Sequence, residues 1–192
     1  MPDLISHEVV ENAMAGNAVA FKTIVEQHQA FAYAVAYRFV GNEEEAKDIV
    51  QEAFVRLWKN LHSYRKDVKL STWLYRIIAN LCLDFLKSRR SKEKHNRVDI
   101  SRGHFSPDDS TPEKIIQQQE LMRVIHIAAE VLTPKQKAVF VLRDLEGLST
   151  EEVKEILSMS EGNIKSNLFH ARQKVAEKLK IVYQASDKSG VV

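Results

Sequence analysis

Apolar residues recur at three- and four-residue steps through most of the chain, the period that stacks side chains on one face of an α-helix. The clearest run is DIVQEAFVRLWKNL, residues 48–61, where Ile49, Val50, Ala53, Phe54, Leu57, Trp58 and Leu61 predict one buried stripe. Asp48, Gln51, Glu52, Arg56 and Lys59 fall elsewhere on the wheel. Acids stand toward the start of this run and bases toward its end, as the helix dipole favours. Gly41 is placed to end the preceding helix, Asn42 to cap this one, and Glu45 to act as a capping-box partner. Upstream, Ser6 predicts the cap of a short helix that closes at Gly16-Asn17. Phe21, Ile24, Val25, His28, Phe31, Ala32, Val35 and Phe39 then predict a long amphipathic helix. His28 lies on its apolar side with no second His or Cys one turn away, so it reads as a hydrogen-bonded core histidine rather than a ligand.

Downstream, the polar and basic connection HSYRKDVKL, residues 62–70, leads to STWLYRIIANLCLDFLKSRR, with Ser71 as its cap. Leu74, Ile77, Ile78, Leu81 and Phe85 predict the buried stripe. Trp73, Arg76, Asn80, Asp84 and Lys87 share another face, just after Tyr64, Arg65 and Lys66. Rings interleaved with cations suit single-stranded DNA, because bases stack on rings and cations track phosphates. A core role for Trp73 and Tyr75, with Lys87, Arg89 and Arg90 complementing the helix end, fits the same residues equally well.

Periodicity lapses over residues 91–113, where Ser, Gly, Pro and mixed charge predict a linker. Thr111-Pro112 restarts the helical pattern, and Ile115, Ile116, Leu121, Val124, Ile125, Ala128 and Ala129 supply its apolar face. Thr133 to Gln136 predicts a capping box for a helix filled by Val139, Phe140 and Leu142 that ends near Gly147. Ser149 and Glu152 predict another. A short helix over 150–157, the turn Ser158-Met159-Ser160 and a helix from Glu161 to about Lys180 have helix-turn-helix spacing. Ile164, Leu168, Ala171, Val175 and Leu179 face the core of that last helix. Lys165, Ser166, Asn167, Phe169, His170 and Gln173 point away. An outward Phe169 is explained by contact with a thymine methyl or by a protein surface, and the motif also serves as a plain packing unit.

The pattern predicts an all-α protein of two small helical domains joined by a flexible linker: a first domain over 1–90, the linker over 91–113, a second domain over 114–183 and a disordered tail over 184–192. Composition changes this picture little. A formal net charge of +2 is too small to argue for nucleic acid by itself, so the distribution of charge must decide. The single Cys82 excludes an internal disulfide or a Cys-based zinc cage within one chain. No basic start followed by an apolar run and no membrane-length apolar stretch is present, so cytoplasmic residence without direct membrane insertion is expected. A helical metalloenzyme built on Glu44, Asp48 and Glu52 would need the Glu-x-x-His pair of dimetal bundles, which is absent. No cofactor and no catalytic residue is expected.

DIVQEAFVRLWKNL resembles the signature helix of bacterial sigma factors of the small, extracytoplasmic-function type, and the run from Gly16 to His28 resembles that family's first helix pair, with His28 where an aromatic residue is common. STWLYRIIANLCLDFLK is similar to the sigma helix that opens the minus-ten promoter element. The run from Leu132 to Leu179 resembles the domain that reads the minus-thirty-five element. The resemblance implies that Asp48, Gln51, Glu52 and Arg56 dock on the clamp of core RNA polymerase. It implies that Tyr64, Arg65, Lys66, Trp73, Arg76 and Asn80 meet the minus-ten element, with a flipped base held in the loop from His62 to Leu70. It assigns Lys165, Ser166, Asn167, Phe169, His170 and Arg172 to the minus-thirty-five element. Asn167 and His170 stand where Arg is frequent, which lowers the positive charge of that face. The implied partners are core RNA polymerase, promoter DNA and an anti-sigma factor, often membrane-borne, with the chain monomeric when free or one-to-one with its anti-sigma. The linker would thread toward the RNA exit path, although its composition fits a passive tether equally well, and catalysis would belong to the polymerase. The alternative is a dimeric helix-turn-helix transcriptional regulator that uses the first domain for dimerisation or sensing. That reading leaves the Trp73 to Asn80 face without a task.

Overall fold

Small polar residues set the helix starts, because their side-chain oxygens satisfy the orphan N–H groups of the first turn. In the computed structural model, which describes residues 5–64, 69–93 and 112–189, Ser6 caps α1 (His7–Met14), Asn17 caps α2 (Ala18–Val40) and Asn42 caps α3 (Glu43–Asn60). The Asn42 side chain accepts from the Glu45 N–H at 3.1 Å. Gly41 closes α2 at φ 72°, a left-handed conformation that costs any residue with a Cβ, and so lets α3 fold back along α2. A short 3-10 turn, Leu61–Ser63, follows α3.

The next helix, α4 (Leu70–Glu93), starts one residue before Ser71, which therefore lies buried inside the first turn instead of capping it. Leu70 is drawn into the helix because it is itself a core residue, 2% exposed. The second half of the chain holds α5 (Pro112–Ala129), α6 (Pro134–Phe140), α7 (Thr150–Leu157) and α8 (Glu161–Ser189). Of the three expected capping boxes, those at Thr133 with Gln136 and at Ser149 with Glu152 form in full, while at Asn42 the cap accepts from the Glu45 N–H. Between α6 and α7 the backbone continues as a five-residue π-helical turn, Val141–Leu145.

Three expected boundaries move. The helix expected to stop near Lys180 runs to Ser189, so residues 184–189 of the expected disordered tail are helical. No Gly or Pro interrupts the sequence between Gly162 and Gly190. The linker shortens from both sides, since α4 reaches Glu93 and α5 begins at Pro112. The remaining linker residues, 94–111, lie outside the described residues, as do 190–192.

Helices α1 to α4 wrap one core in which Ile24, Phe39, Leu57, Leu61, Leu74 and Ile78 are almost wholly buried. Each such side chain contributes roughly 1.5–3 kcal/mol relative to exposure. His28 is buried among them, its Nδ1 donating to the Ile24 carbonyl at 3.1 Å, as expected of a core histidine. In the second half α5, α6 and α8 close around Ala128, Ala129, Phe140, Ala171 and Val175. Leu121, expected on the apolar face of α5, is 53% exposed; the part of the stripe packed with α8 is Ile125, Ala128 and Ala129. The two halves are not separate bodies, for α6 and α7 lie against α4 and the π-helical turn touches α2. Val139, Leu142, Val153 and Ile156 belong to the same continuous buried cluster as Leu74, Ile78 and Cys82.

Candidate docking and nucleic-acid surfaces

The amphipathic pattern of α3 leaves Asp48, Gln51, Glu52 and Arg56 together on its outer face, all exposed. Glu52 and Arg56, one turn apart, pair at 2.8 Å, a surface contact of little energetic weight. Beside this face an apolar groove of about 1010 Å³ opens between α2 and α3. Phe21, Val25, Tyr33, Val50, Phe54, Val55 and Trp58 line it, and Gln29, Lys47, Asp48 and Gln51 border it. Trp58 thus corrects the expectation of a wholly core stripe. It is 37% exposed and rests on Phe21 with ring centroids 4.7 Å apart, because the groove lined by α2 and α3 leaves the stripe's edge uncovered.

On the first domain's other candidate face, Tyr64 and Trp73 are half-buried and stacked, with centroids 5.4 Å apart and planes 22° from parallel. Arg76 and Asn80 follow Trp73 at three and seven residues, hence on the same side of α4, and both are exposed. Arg65 and Lys66 lie outside the described residues. Tyr75 is buried; burial first, then the neighbouring Glu146 carboxylate, push its phenol well above its ordinary range.

The last helix enters from a tight turn in which Ser158 takes a left-handed conformation, φ 51°. Lys165, Ser166, Phe169, His170 and Arg172 are exposed on α8, and Asn167 is half-exposed, donating to the Asn163 carbonyl. Phe169 is 59% exposed and meets the His170 ring edge-on at 5.5 Å. Lys165 pairs with Glu161 at 2.5 Å. Arg172 is gripped by Asp144 of the π-helical turn in a two-point fork, Nε to Oδ2 at 2.9 Å and Nη2 to Oδ1 at 2.6 Å. That fork fixes the guanidinium plane and leaves its far edge for another acceptor.

Sequence reasoning missed Asp144, whose partner is 28 residues away, and Glu146, whose partners Arg38 and Tyr75 belong to the first domain. It also missed Lys137, which is 7% exposed beneath the first domain. Burial, ahead of its charged neighbours, lowers its pKa to about 8. A buried stripe of Tyr75, Ala79 and Cys82 at helical spacing on α4 was the available signal. Among the described residues no group of three or more His, Cys, Asp or Glu could hold a metal ion, and no helix is long and apolar enough to cross a membrane.

A helix-turn-helix with an exposed, mixed basic and aromatic face, tied to a second helical domain bearing an aromatic and basic face of its own, defines an all-helical two-domain protein. The model of sigma-70 region 2 matches residues 24–92, and that of sigma-70 region 4 matches residues 123–175. The chain is 32% identical over 156 residues to the ECF RNA polymerase sigma factor SigE of Mycolicibacterium smegmatis, covering 81% of this chain and 60% of that relative. It is 29% identical over 182 residues to the ECF RNA polymerase sigma-E factor of Escherichia coli K12, covering 92% and 95%. Among solved structures, the sigma factor RpoE of Bartonella quintana, determined with the anti-sigma factor NepR, matches with a TM-score of 0.62 at 22% identity, covering 84% of this chain and 97% of that one. The chain belongs to the sigma-70 family, as a sigma factor of the extracytoplasmic-function type.

Proposed function

We propose that this sigma factor binds core RNA polymerase through the α3 face and directs initiation at promoters whose minus-ten element meets α4 and whose minus-thirty-five element meets α8. The observation that carries the reading is the open groove between α2 and α3, bordered by Asp48 and Gln51 and lined by Phe54 and Trp58. Apolar surface of this kind gains about 25 cal/mol per Å² when covered, and a concave strip between two helices suits the apolar face of a partner helix. Polar residues along its border would set the register of that partner. The same face offers an anti-sigma factor a place to bind, which would keep the chain in a one-to-one complex in the cytoplasm.

At the minus-ten element the Tyr64–Trp73 stack gives unpaired bases a ring to lie on, and Arg76 gives phosphates a cation. Trapping unpaired bases favours the open strand without any bond being made by this chain, so the chemistry is left to the polymerase. At the minus-thirty-five element Lys165, Phe169 and Arg172 stand where a helix in the major groove meets phosphates and base edges.

The test is association with sigma-free core polymerase, followed by co-migration at moderate salt. One-to-one association is expected. Gln51→Ala combined with Glu52→Ala should weaken it at least tenfold while leaving helix content unchanged, because both side chains are exposed and the Glu52–Arg56 pair adds little to the fold. A dimer that ignores polymerase and binds duplex DNA alone would favour the dimeric regulator instead.

A further inference from the structure

Asp144 sits in a segment that hydrogen bonds pin from both ends. Its π-helical turn closes through the Glu146 N–H, which donates to the Val141 carbonyl at 2.9 Å, and the Leu148 N–H donates to the Leu142 carbonyl at 3.0 Å. The Arg143 guanidinium donates to the Leu148 carbonyl, and Gly147, at φ 69°, turns the chain toward the Ser149 cap of α7. Val141 and Leu142 are wholly buried, so the turn that carries Asp144 is anchored in the core. Across from it Leu168, Ala171 and Val175 seat α8, and Arg172 leaves from an equally fixed backbone.

Two ion pairs on the exposed face of α8 differ in kind. Lys165 pairs with Glu161 one turn away on the same helix, both side chains at least half exposed, and its ammonium is a point charge on a flexible stem. Arg172 is gripped from another element and at two points. Such a fork fixes a plane as well as a position. It takes the Nε N–H and one Nη2 N–H, leaving three of the five guanidinium N–H groups available on a side chain that is 59% exposed. Arg172 shares its face with Phe169 and Lys165 and lies about 10 Å further along the helix than Lys165. The first residues of a helix in the major groove meet base edges, and those further along meet the backbone. Resting on the assignment of this face to duplex DNA made above, we propose that Asp144 is a positioning residue, holding the Arg172 guanidinium so that its free edge meets a phosphate at the border of the minus-thirty-five element.

Asp144 acts on DNA in two ways of opposite sign. Its charge repels phosphates, so removing the charge favours binding. Its fork holds Arg172 ready and spares that side chain the loss of freedom on binding, so breaking the fork disfavours it. In a positioning role the second effect wins. Asp144→Asn separates the two, because the amide keeps the size, removes the charge and sets an NH2 against one of the guanidinium donors. Asp144→Glu keeps both charge and fork. Arg172→Lys approaches from the other partner, keeping the cation and losing its plane.

The experiment uses the full chain assembled with core polymerase. The native assembly enriches a duplex from a random-sequence pool, beyond what core polymerase alone retains, and the affinity for that duplex is measured for each variant, with circular dichroism for helix content. Arg172→Ala is expected to bind about tenfold more weakly, and Asp144→Asn and Arg172→Lys about threefold to tenfold more weakly, at unchanged helix content. Asp144→Glu should stay within about twofold of the native chain, and adding Asp144→Asn to Arg172→Ala should cost nothing further. If Arg172→Ala is weakened while Asp144→Asn or Arg172→Lys binds as tightly as the native chain, the positioning role is overturned and the α8 assignment stands. A further loss in the double variant overturns it too, since Asp144 would then act without Arg172. Native affinity in Arg172→Ala removes the assignment of Arg172 to DNA itself.

Discussion

His126 stands edge-on to Tyr37, and its buried Nε2 has no hydrogen-bond partner among the described residues. Burial, then the positive charges of Lys137 and Arg38, lowers its pKa to about 4. An unfolded chain would bind that proton near pH 6.5, so between pH 6.5 and 4 the unfolded state holds more protons than the folded one. Stability therefore falls as pH drops through that window, by up to about 1.4 kcal/mol per unit of separation. Lys137 acts in the same sense between about pH 10.5 and 8. His126→Gln cannot take the charge, so urea denaturation at pH 7 and pH 4.5 should show the native chain losing roughly 1–3 kcal/mol more than the variant. Equal losses would remove the account. His126 passes unremarked in the sequence because nothing adjacent to it signals burial; its surroundings come from α2 and α6.

At the scale of elements, the helix starts were legible because a cap and its acceptor lie within three residues. Ser149 and Glu152 show it well: the Ser149 N–H donates to Glu152 Oε2 at 2.7 Å, and the Glu152 N–H donates to Ser149 Oγ at 3.2 Å. That bonding, from the Ser149 backbone first, holds the Glu152 carboxyl below its ordinary range. Ser149→Ala should cost about 1 kcal/mol in chemical denaturation, and no loss would show that tertiary packing alone holds α7 in place. The exposed face of α8 was legible in the same local way, since its period separates Ile164, Leu168 and Ala171 from Lys165, Phe169 and Arg172. Replacing Lys165 and Arg172 with Ala should weaken minus-thirty-five duplex binding and reduce the slope of log affinity against log salt by about 0.9 for each phosphate no longer neutralised. A slope that stays put would take both residues off the phosphates. The end of α8 was not legible, for lack of a stop signal before Gly190.

For the molecule as a whole, two domains were evident from the lapse of periodicity, and their order matches that of regions 2 and 4. Their mutual docking was not evident. The expected stripe of α4, through Leu74 and Ile78, covers the first core. Tyr75, Ala79 and Cys82 form a further buried stripe toward the other half, so α4 serves two neighbours at once. This makes the arrangement of the two halves a property of the whole chain and not of either domain.

By itself the sequence determined the helices, their caps, the split into two domains and which side of α3 and α8 faces water, since each depends on residues within a turn or two of one another. Tertiary structure decided that Trp58 borders an open groove, that Asp144 grips Arg172, and that Glu146 ties the second domain to Arg38 and Tyr75. Those pairings join residues 28 to 108 positions apart, or, for Trp58, depend on the groove that two helices line together. Such distances are closed only by packing, and no local period records them.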